Sequence, residues 1–145
     1  MTSVFDVARY ITDRVGKITA MKLQKLVFYS AAWSLVWTEG CSLFEEDFQA
    51  WANGPVVPEL YAAHRGMLFV DPSTFVQGNP SNLTKEQKSN IDIALDFYGE
   101  KSAAWLSTLT HQELPWLQAR GDTPIGESSN TVIPKSSIYE YYSSL

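Results

Sequence analysis

The sequence predicts a mainly α-helical fold, a single compact helical domain with one minor, short β element near residues 46–52. Three observations lead to this prediction. The chain has 145 residues, 45% hydrophobic and 19% charged, which is typical of one folded domain and not of a disordered chain. Apolar residues recur at helical spacing over most of its length. The strongest turn signal, Asn53-Gly54-Pro55, interrupts that pattern only in the middle.

The first two helices are predicted from their caps and their apolar positions. Ser3 and Asp6 have the spacing of a capping box, and Gly16 follows the last apolar position, so the first helix is expected between Ser3 and Gly16. Thr19 is placed to cap a second helix that ends before Gly40. The second helix is apolar over most of its circumference, which is typical of a buried, central helix.

The middle of the chain combines a strand pattern with turn signals. A short strand is expected at Phe48-Gln49-Ala50-Trp51, followed by the turn at Asn53-Gly54-Pro55. Pro58 is suited to the first position of a helix, which Gly66 would end. Residues 70–82 are rich in proline, glycine and polar residues and are expected to form a loop.

Three further helices are expected in the second half, each with a cap or an initiating proline and each followed by a breaker or a polar loop. They run from Thr84 to Gly99, from Ser102 through Leu109, and from Pro115 to Gly121. Residues 122–132 are expected to form a loop. One or two helical turns are expected after Ile133-Pro134.

Charge and cysteine content restrict the class of partner and the compartment. The net charge is −5 and the pI about 4.9, which argues against a dedicated nucleic-acid binder. The first 25 residues are basic, with Arg9, Arg14, Lys17, Lys22 and Lys25. They form either a docking surface for an acidic partner or a solvated helix face. A single cysteine, no evident signal peptide and no long apolar stretch lead us to expect a cytoplasmic protein without membrane contact.

No set of residues typical of catalysis, metal binding or cofactor binding stands out. The two histidines, His64 and His111, lack the one-turn spacing of a metalloprotease pair. We therefore expect no catalytic residue, no metal and no cofactor. His111 has Thr110 and Glu113 as neighbours that could fix its tautomer. A structural role for His111 is favoured, and an enzyme that uses His111 with a nearby carboxylate is kept as an alternative.

Several blocks of the sequence resemble one known family. The blocks are Thr19-Ala20-Met21-Lys22-Leu23-Gln24-Lys25-Leu26-Val27-Phe28-Tyr29, Trp33, Leu43-Phe44, Phe48-Gln49-Ala50-Trp51-Ala52-Asn53-Gly54-Pro55-Val56-Val57-Pro58 with Tyr61, and Leu106-Ser107-Thr108-Leu109-Thr110-His111 with Pro115-Trp116 and Ala119-Arg120. Their content and order resemble the Panacea domain, also called the SocA-like antitoxin domain. The resemblance covers residues 18–121 well and residues 122–145 more loosely. It implies that residues 1–145 form a single Panacea-like domain.

The resemblance also implies a function. Such a protein would be an antitoxin-like binding protein from a bacterial or prophage toxin–antitoxin locus, and it would neutralise a cognate toxin encoded nearby by direct protein–protein interaction. Alternatives are a prophage-associated adaptor that delivers its partner to a protease, and a DNA-binding regulator of its own operator. The resemblance indicates neither the toxin nor the oligomeric state.

The candidate partner-binding residues are the motif positions, with the tryptophans as possible interface anchors or core residues. The motif positions are Lys22, Gln24, Lys25, Trp33, Trp51, Gly54, Pro55, Val56, His111, Pro115 and Trp116. Gly54 is expected to allow a close approach of the backbone. His111, Pro115 and Trp116 are expected to form a joint between two helices.

Overall fold

A computed structural model describes residues 2–145. These residues contain seven α-helices and two 3₁₀ turns, so the prediction of a mainly α fold is confirmed. The helices are α1 (Val4–Val15), α2 (Ala20–Trp37), α3 (Pro58–His64), α4 (Lys85–Tyr98), α5 (Ala103–Thr110), α6 (Leu114–Arg120) and α7 (Lys135–Ser143). None of the helices in the described residues has both the length and the apolar character needed to cross a membrane.

The β structure is more extensive than predicted. The strands are β1 (Ile18–Thr19), β2 (Phe48–Trp51), β3 (Gly54–Val56), β4 (Phe69–Val70) and β5 (Val132–Ile133). The prediction for β2 is confirmed. β3, β2 and β5 form one antiparallel sheet, and β1 pairs with β4 in a second. Strands of two or three residues are too short to show period-two alternation, so their sequences carry no strand signal.

Helix α2 lies at the centre of the fold, as its apolar circumference predicts. It packs against α1, α4, α5 and α7 and against strand β3. Phe28, Tyr29 and Tyr142 of α7 are almost fully buried and meet edge to face. These aromatic contacts fix α7 onto α2. They also explain why α7 is longer than the one or two turns expected from its polar sequence.

The predicted helix caps are present. The Asp6 carboxylate accepts a hydrogen bond from the Ser3 N–H at 2.9 Å, and Thr19 Oγ1 accepts one from the Lys22 N–H at 3.2 Å. Asp6 also accepts a hydrogen bond from the Asn79 N–H at 2.7 Å. This contact holds the segment of residues 70–82, which was expected to be a loop and contains Val70 of β4 and the two 3₁₀ turns, against the start of α1.

Candidate functional site

A groove of about 850 Å³ runs along the first part of helix α2. We call it the α2 groove. It is lined by residues 19–21, 24–25, 49, 51–53, 56, 61, 64, 66–68 and 128–130. Most of the surface that lines the groove is apolar. Three of its apolar side chains, Met21, Met67 and Leu68, are exposed to solvent. This volume lies within the range of sites that bind small molecules or short chain segments.

Gln24 connects helix α2 to the opposite side of the groove, at Val57 and His64. Its Oε1 accepts a hydrogen bond from the Val57 N–H at 3.0 Å. Its Nε2 donates to His64 Nε2 at 3.0 Å. Because the amide N–H₂ can only donate, His64 must accept at Nε2 and carry its proton on Nδ1. Burial lowers the pKa of His64, which favours this neutral form. Gln24 thus holds α3 and the end of β3 against α2.

Lys25 occupies the interior of the protein beside the groove. It is 1% exposed, and its Nζ donates a hydrogen bond to the Pro55 carbonyl oxygen at 3.1 Å. No carboxylate of residues 2–145 forms an ion pair with it. Burial lowers the pKa of Lys25 from 10.5 to about 7, because desolvation penalises the charged amine.

Gly54 adopts a backbone conformation that its neighbourhood requires. Its φ is +117°, a value that residues with a side chain rarely adopt. A Cβ atom at this position would lie 2.7 Å from Cε of Lys25 and 2.8 Å from Oγ1 of Thr110. Glycine therefore allows the hairpin, Lys25 and α5 to meet.

His111 and Trp116 form a stacked pair behind the hairpin. Their rings lie 4.2 Å apart at an interplanar angle of 22°. The indole Nε1 of Trp116 donates a hydrogen bond to the Trp51 carbonyl oxygen at 2.8 Å. The stacked pair thus connects the turn between α5 and α6 to strand β2.

The prediction that Thr110 or Glu113 fixes the tautomer of His111 is wrong, because both side chains form hydrogen bonds to other residues. Glu113 accepts hydrogen bonds from the hydroxyls of Tyr29 at 2.5 Å and Tyr142 at 2.8 Å, because its side chain points into the aromatic core. The hydroxyl of Thr110 donates to the Ser107 carbonyl oxygen at 2.7 Å. Nε2 of His111 is buried without a hydrogen-bond partner among the described residues. Burial, and next the charge of Lys25, lower the pKa of His111.

Arg120 anchors the loop that closes one end of the groove. Its guanidinium donates hydrogen bonds to the carbonyl oxygens of Ala50 at 2.9 Å, Pro124 at 2.9 Å and Glu127 at 2.6 Å. Residues 128–130, which line the groove, follow directly. Arg120 is not among the candidate residues predicted from the sequence, although it ends the last block of the resemblance. Its three carbonyl partners are not predictable from local pattern.

The candidate residues fall into three positions in the structure. Four of them line the α2 groove: Gln24, Lys25, Trp51 and Val56. Five form the buried or half-buried support behind it: Gly54, Pro55, His111, Pro115 and Trp116. Two lie outside it: Lys22 at the start of α2, and Trp33, whose Nε1 donates to the Tyr98 hydroxyl at 2.9 Å.

Sequence reasoning missed the apolar rim of the groove. Met21, Met67 and Leu68 are not among the candidate residues predicted from the sequence. They join the groove because β1 pairs with β4, Thr19 facing Phe69. The one available signal is the apolar run Met67-Leu68-Phe69, directly after Gly66.

The described residues bring no three histidine, cysteine, aspartate or glutamate side chains together as a candidate metal site. Cys41 is free and exposed. The groove along α2 is a concave, largely apolar surface with a few fixed polar groups.

A model of the family "Antitoxin SocA-like, Panacea domain" matches residues 23–117. Neither the curated proteins nor the solved structures contain a match to this chain. The matched segment covers most of α2, the β2–β3 hairpin, α3 and α5, and includes Gln24, Lys25, Trp51 and Val56. Because it covers more than half of the sequence, this chain belongs to the antitoxin SocA-like, Panacea domain family.

Proposed function

We propose that this protein is an antitoxin that acts in the bacterial cytoplasm and neutralises a cognate toxin protein by binding it directly. One observation carries the proposal. Within the segment that matches an antitoxin family, four motif residues from two separate blocks converge on one groove: Gln24, Lys25, Trp51 and Val56. We propose that the toxin contacts this groove.

The groove has the physical features of a protein-binding surface. Aromatic side chains that are held in place contribute most to such interfaces, because they bury a large area at a low cost in side-chain entropy. Trp51 and Tyr61 meet edge to face with ring centroids 4.9 Å apart, and the Trp51 Nε1 donates to Gln49 Oε1 at 2.8 Å. The Trp51 backbone is fixed by Trp116. The anchor is therefore preorganised.

Co-expression tests the function. The protein encoded by the adjacent gene is expressed alone and then with this chain. Growth arrest that co-expression relieves, together with a co-purified complex, supports direct neutralisation. A harmless neighbour rejects the proposal. A toxin level that falls on co-expression would favour delivery to a protease, whereas an unchanged level favours neutralisation by binding.

A pair of tryptophan variants tests the location. Trp51→Ala removes an anchor in the groove, and Trp105→Ala removes a tryptophan that is 42% exposed on α5, outside the groove. We expect Trp51→Ala to weaken the complex by about 30-fold, the loss typical of an interface hot spot. We expect Trp105→Ala to bind as the wild type does. Equal effects, or a loss confined to Trp105→Ala, would place the toxin elsewhere.

A further inference from the structure

The α2 groove differs from the rest of the protein in its charge. The chain has 16 acidic and 11 basic residues and a net charge of −5. Among the described residues, no aspartate or glutamate lines the groove, and its basic lining side chains are Lys25 and His64. An acid-free concavity in an acidic protein attracts a negatively charged ligand relative to the remaining surface.

Basic side chains also flank the mouth of the groove. Arg65 is exposed and lies between two lining residues in the chain. Lys17 lies with its Nζ 5.1 Å from the centre of the Phe69 ring, next to the Leu68 rim. Charges at a rim act mainly by steering an oppositely charged partner into place.

Lys25 adds a basic group that no acidic side chain of the described residues balances. Its hydrogen-bond acceptor is the neutral carbonyl of Pro55, and no carboxylate of residues 2–145 lies within ion-pair distance. Burial lowers the pKa of Lys25 to about 7, so near neutral pH only part of the protein carries this charge. A carboxylate that approaches favours the protonated amine, and it interacts with that amine more strongly than with a solvated lysine because the local dielectric constant is low. The floor of the groove thus favours an anion.

The walls define the rest of the ligand. Met21, Met67 and Leu68 present thioether and aliphatic surface to solvent, and unbranched methionines adapt to differently shaped apolar partners. Asn53 and Asn130 lie at the edges with exposed or half-exposed side chains. Their amides can pair with the backbone of an extended segment.

We propose that the α2 groove binds a segment of a partner protein in which an aspartate or glutamate stands beside apolar residues. The carboxylate faces the floor at Lys25, and the apolar side chains cover the rim of Met21, Met67 and Leu68. The identity of the partner as a toxin rests on the proposed function. The chemistry of the segment rests on the groove alone.

A nucleic acid would also supply negative charge, but the groove fits it less well. Tight binding of a phosphate backbone requires several lysines or arginines along one surface. Here Lys17 and Arg65 lie near the mouth, and the rim of Met21, Met67 and Leu68 is apolar. An acidic protein segment satisfies both the charge and the apolar surface.

Peptide selection tests this inference without the toxin. Random peptides displayed on phage are selected against the full-length chain, and binding of the strongest synthetic peptide is measured by fluorescence anisotropy. We expect selected peptides that combine aspartate or glutamate with apolar residues. Replacing the acidic residue by alanine should weaken binding by about tenfold in the wild type. In the Lys25→Met variant the same replacement should have little effect.

Variants that place a charge at Met21 on the rim test the inference even if Lys25→Met does not fold. Met21 is 41% exposed at the start of α2, so Met21→Glu and Met21→Lys should both fold. We expect Met21→Glu to weaken peptide binding by about tenfold and Met21→Lys to preserve or strengthen it. Ile93→Glu is the matched control, because Ile93 is 50% exposed on α4, outside the groove. It should bind as the wild type does.

Several results of these binding experiments would overturn the inference. Selection of neutral or basic peptides, selection of none, or equal binding by Met21→Glu and the wild type would contradict an acidic ligand in this groove. Displacement of the peptide by equimolar single-stranded DNA would favour a nucleic acid. Failure to neutralise the neighbouring protein, with acidic peptides still bound in the groove, would reject the proposed function and leave this inference standing.

Discussion

The Nζ of Lys25 donates a hydrogen bond to the Pro55 carbonyl oxygen at 3.1 Å. Lys25 belongs to α2 and Pro55 to β3, so this bond joins the central helix to the hairpin that forms one wall of the groove. The lysine is buried without a carboxylate partner among the described residues. A buried charge of this kind destabilises a fold unless it is neutralised, and this cost has measurable consequences.

The first consequence is a rise in stability with pH. Burial lowers the pKa of Lys25 from 10.5 to about 7 in the folded protein, so between these values the unfolded chain binds more protons than the folded one. The free energy of unfolding therefore increases with pH in this window, by up to about 1.4 kcal/mol per pH unit. Urea unfolding at a series of pH values measures the slope.

Lys25→Met is the control for this slope and should abolish most of it. His64 and His111 both have pKa values lowered from 6.5. Their effect on the free energy of unfolding is therefore complete at a pH below the window in which Lys25 acts. The buried tyrosines Tyr29 and Tyr142 have pKa values raised from 10.0. They lower the free energy of unfolding only near and above pH 10, where tyrosines of the unfolded chain lose their protons. Equal slopes in the wild type and in Lys25→Met would contradict the assignment to Lys25.

Gly54→Ala is expected to be strongly destabilising. The new Cβ would lie 2.7 Å from Cε of Lys25 at a φ of +117°, so backbone strain and overpacking add. We expect a loss of about 2–4 kcal/mol in the free energy of unfolding. Gly126→Ala measures the backbone strain alone, because Gly126 has a φ of +91° and no atom lies within 4 Å of its Cβ position. It should lose only about 1 kcal/mol. Equal losses in the two variants would show that the close approach has no effect.

Glu113→Gln tests the buried carboxyl group. Burial raises the pKa of Glu113 from 4.5, so between pH 4.5 and the raised pKa the folded protein binds more protons than the unfolded chain. The free energy of unfolding therefore falls as pH rises through this window. Gln has no charge, and its Oε1 can accept the same hydrogen bonds from Tyr29 and Tyr142. We expect Glu113→Gln to remove this fall, as measured by urea unfolding between pH 4 and pH 7.

Glu113→Ala provides the contrast. It leaves the hydroxyls of Tyr29 and Tyr142 buried without an acceptor, which costs about 1–3 kcal/mol for each unpaired group. Stability should therefore order as Glu113→Gln, then wild type, then Glu113→Ala at pH 7. A Glu113→Gln variant as unstable as Glu113→Ala would mean that the carboxylate charge itself is needed.

Local rules predicted the helices and their ends, because a cap depends on residues three or four apart. Ser3 with Asp6, and Thr19 with the N–H of Lys22, form as their spacing indicates. The partners of Glu113 could not be predicted in the same way, because Tyr29 lies 84 residues away and the choice between core and His111 depends on packing.

The groove was predictable only in part for the same reason. The motif blocks contain Gln24, Lys25, Trp51 and Val56, which line it. Its rim depends on the register of β1 with β4, where Ile18 faces Val70. Its closed end depends on the three carbonyl partners of Arg120. Pairings of such short strands and a single long side chain leave no periodic trace in a sequence.

Arg120→Lys is expected to loosen the closed end of the groove while the rest of the fold stays intact. Guanidinium donors at two separate nitrogens reach the carbonyls of Ala50, Pro124 and Glu127, and a single ammonium nitrogen cannot reproduce that fork. Amide hydrogen exchange should therefore quicken in residues 124–130 and remain unchanged in α2.

Arg14→Lys is the matched control for Arg120→Lys, because Arg14 lies on the surface of α1 with its side chain 55% exposed. It should leave exchange in residues 124–130 as in the wild type. If Arg120→Lys protects that loop as well as arginine does, the charge of Arg120 and not its geometry holds the loop. If exchange quickens across α2 as well, Arg120 supports the whole core because its stacking over Trp116 at 4.8 Å also matters.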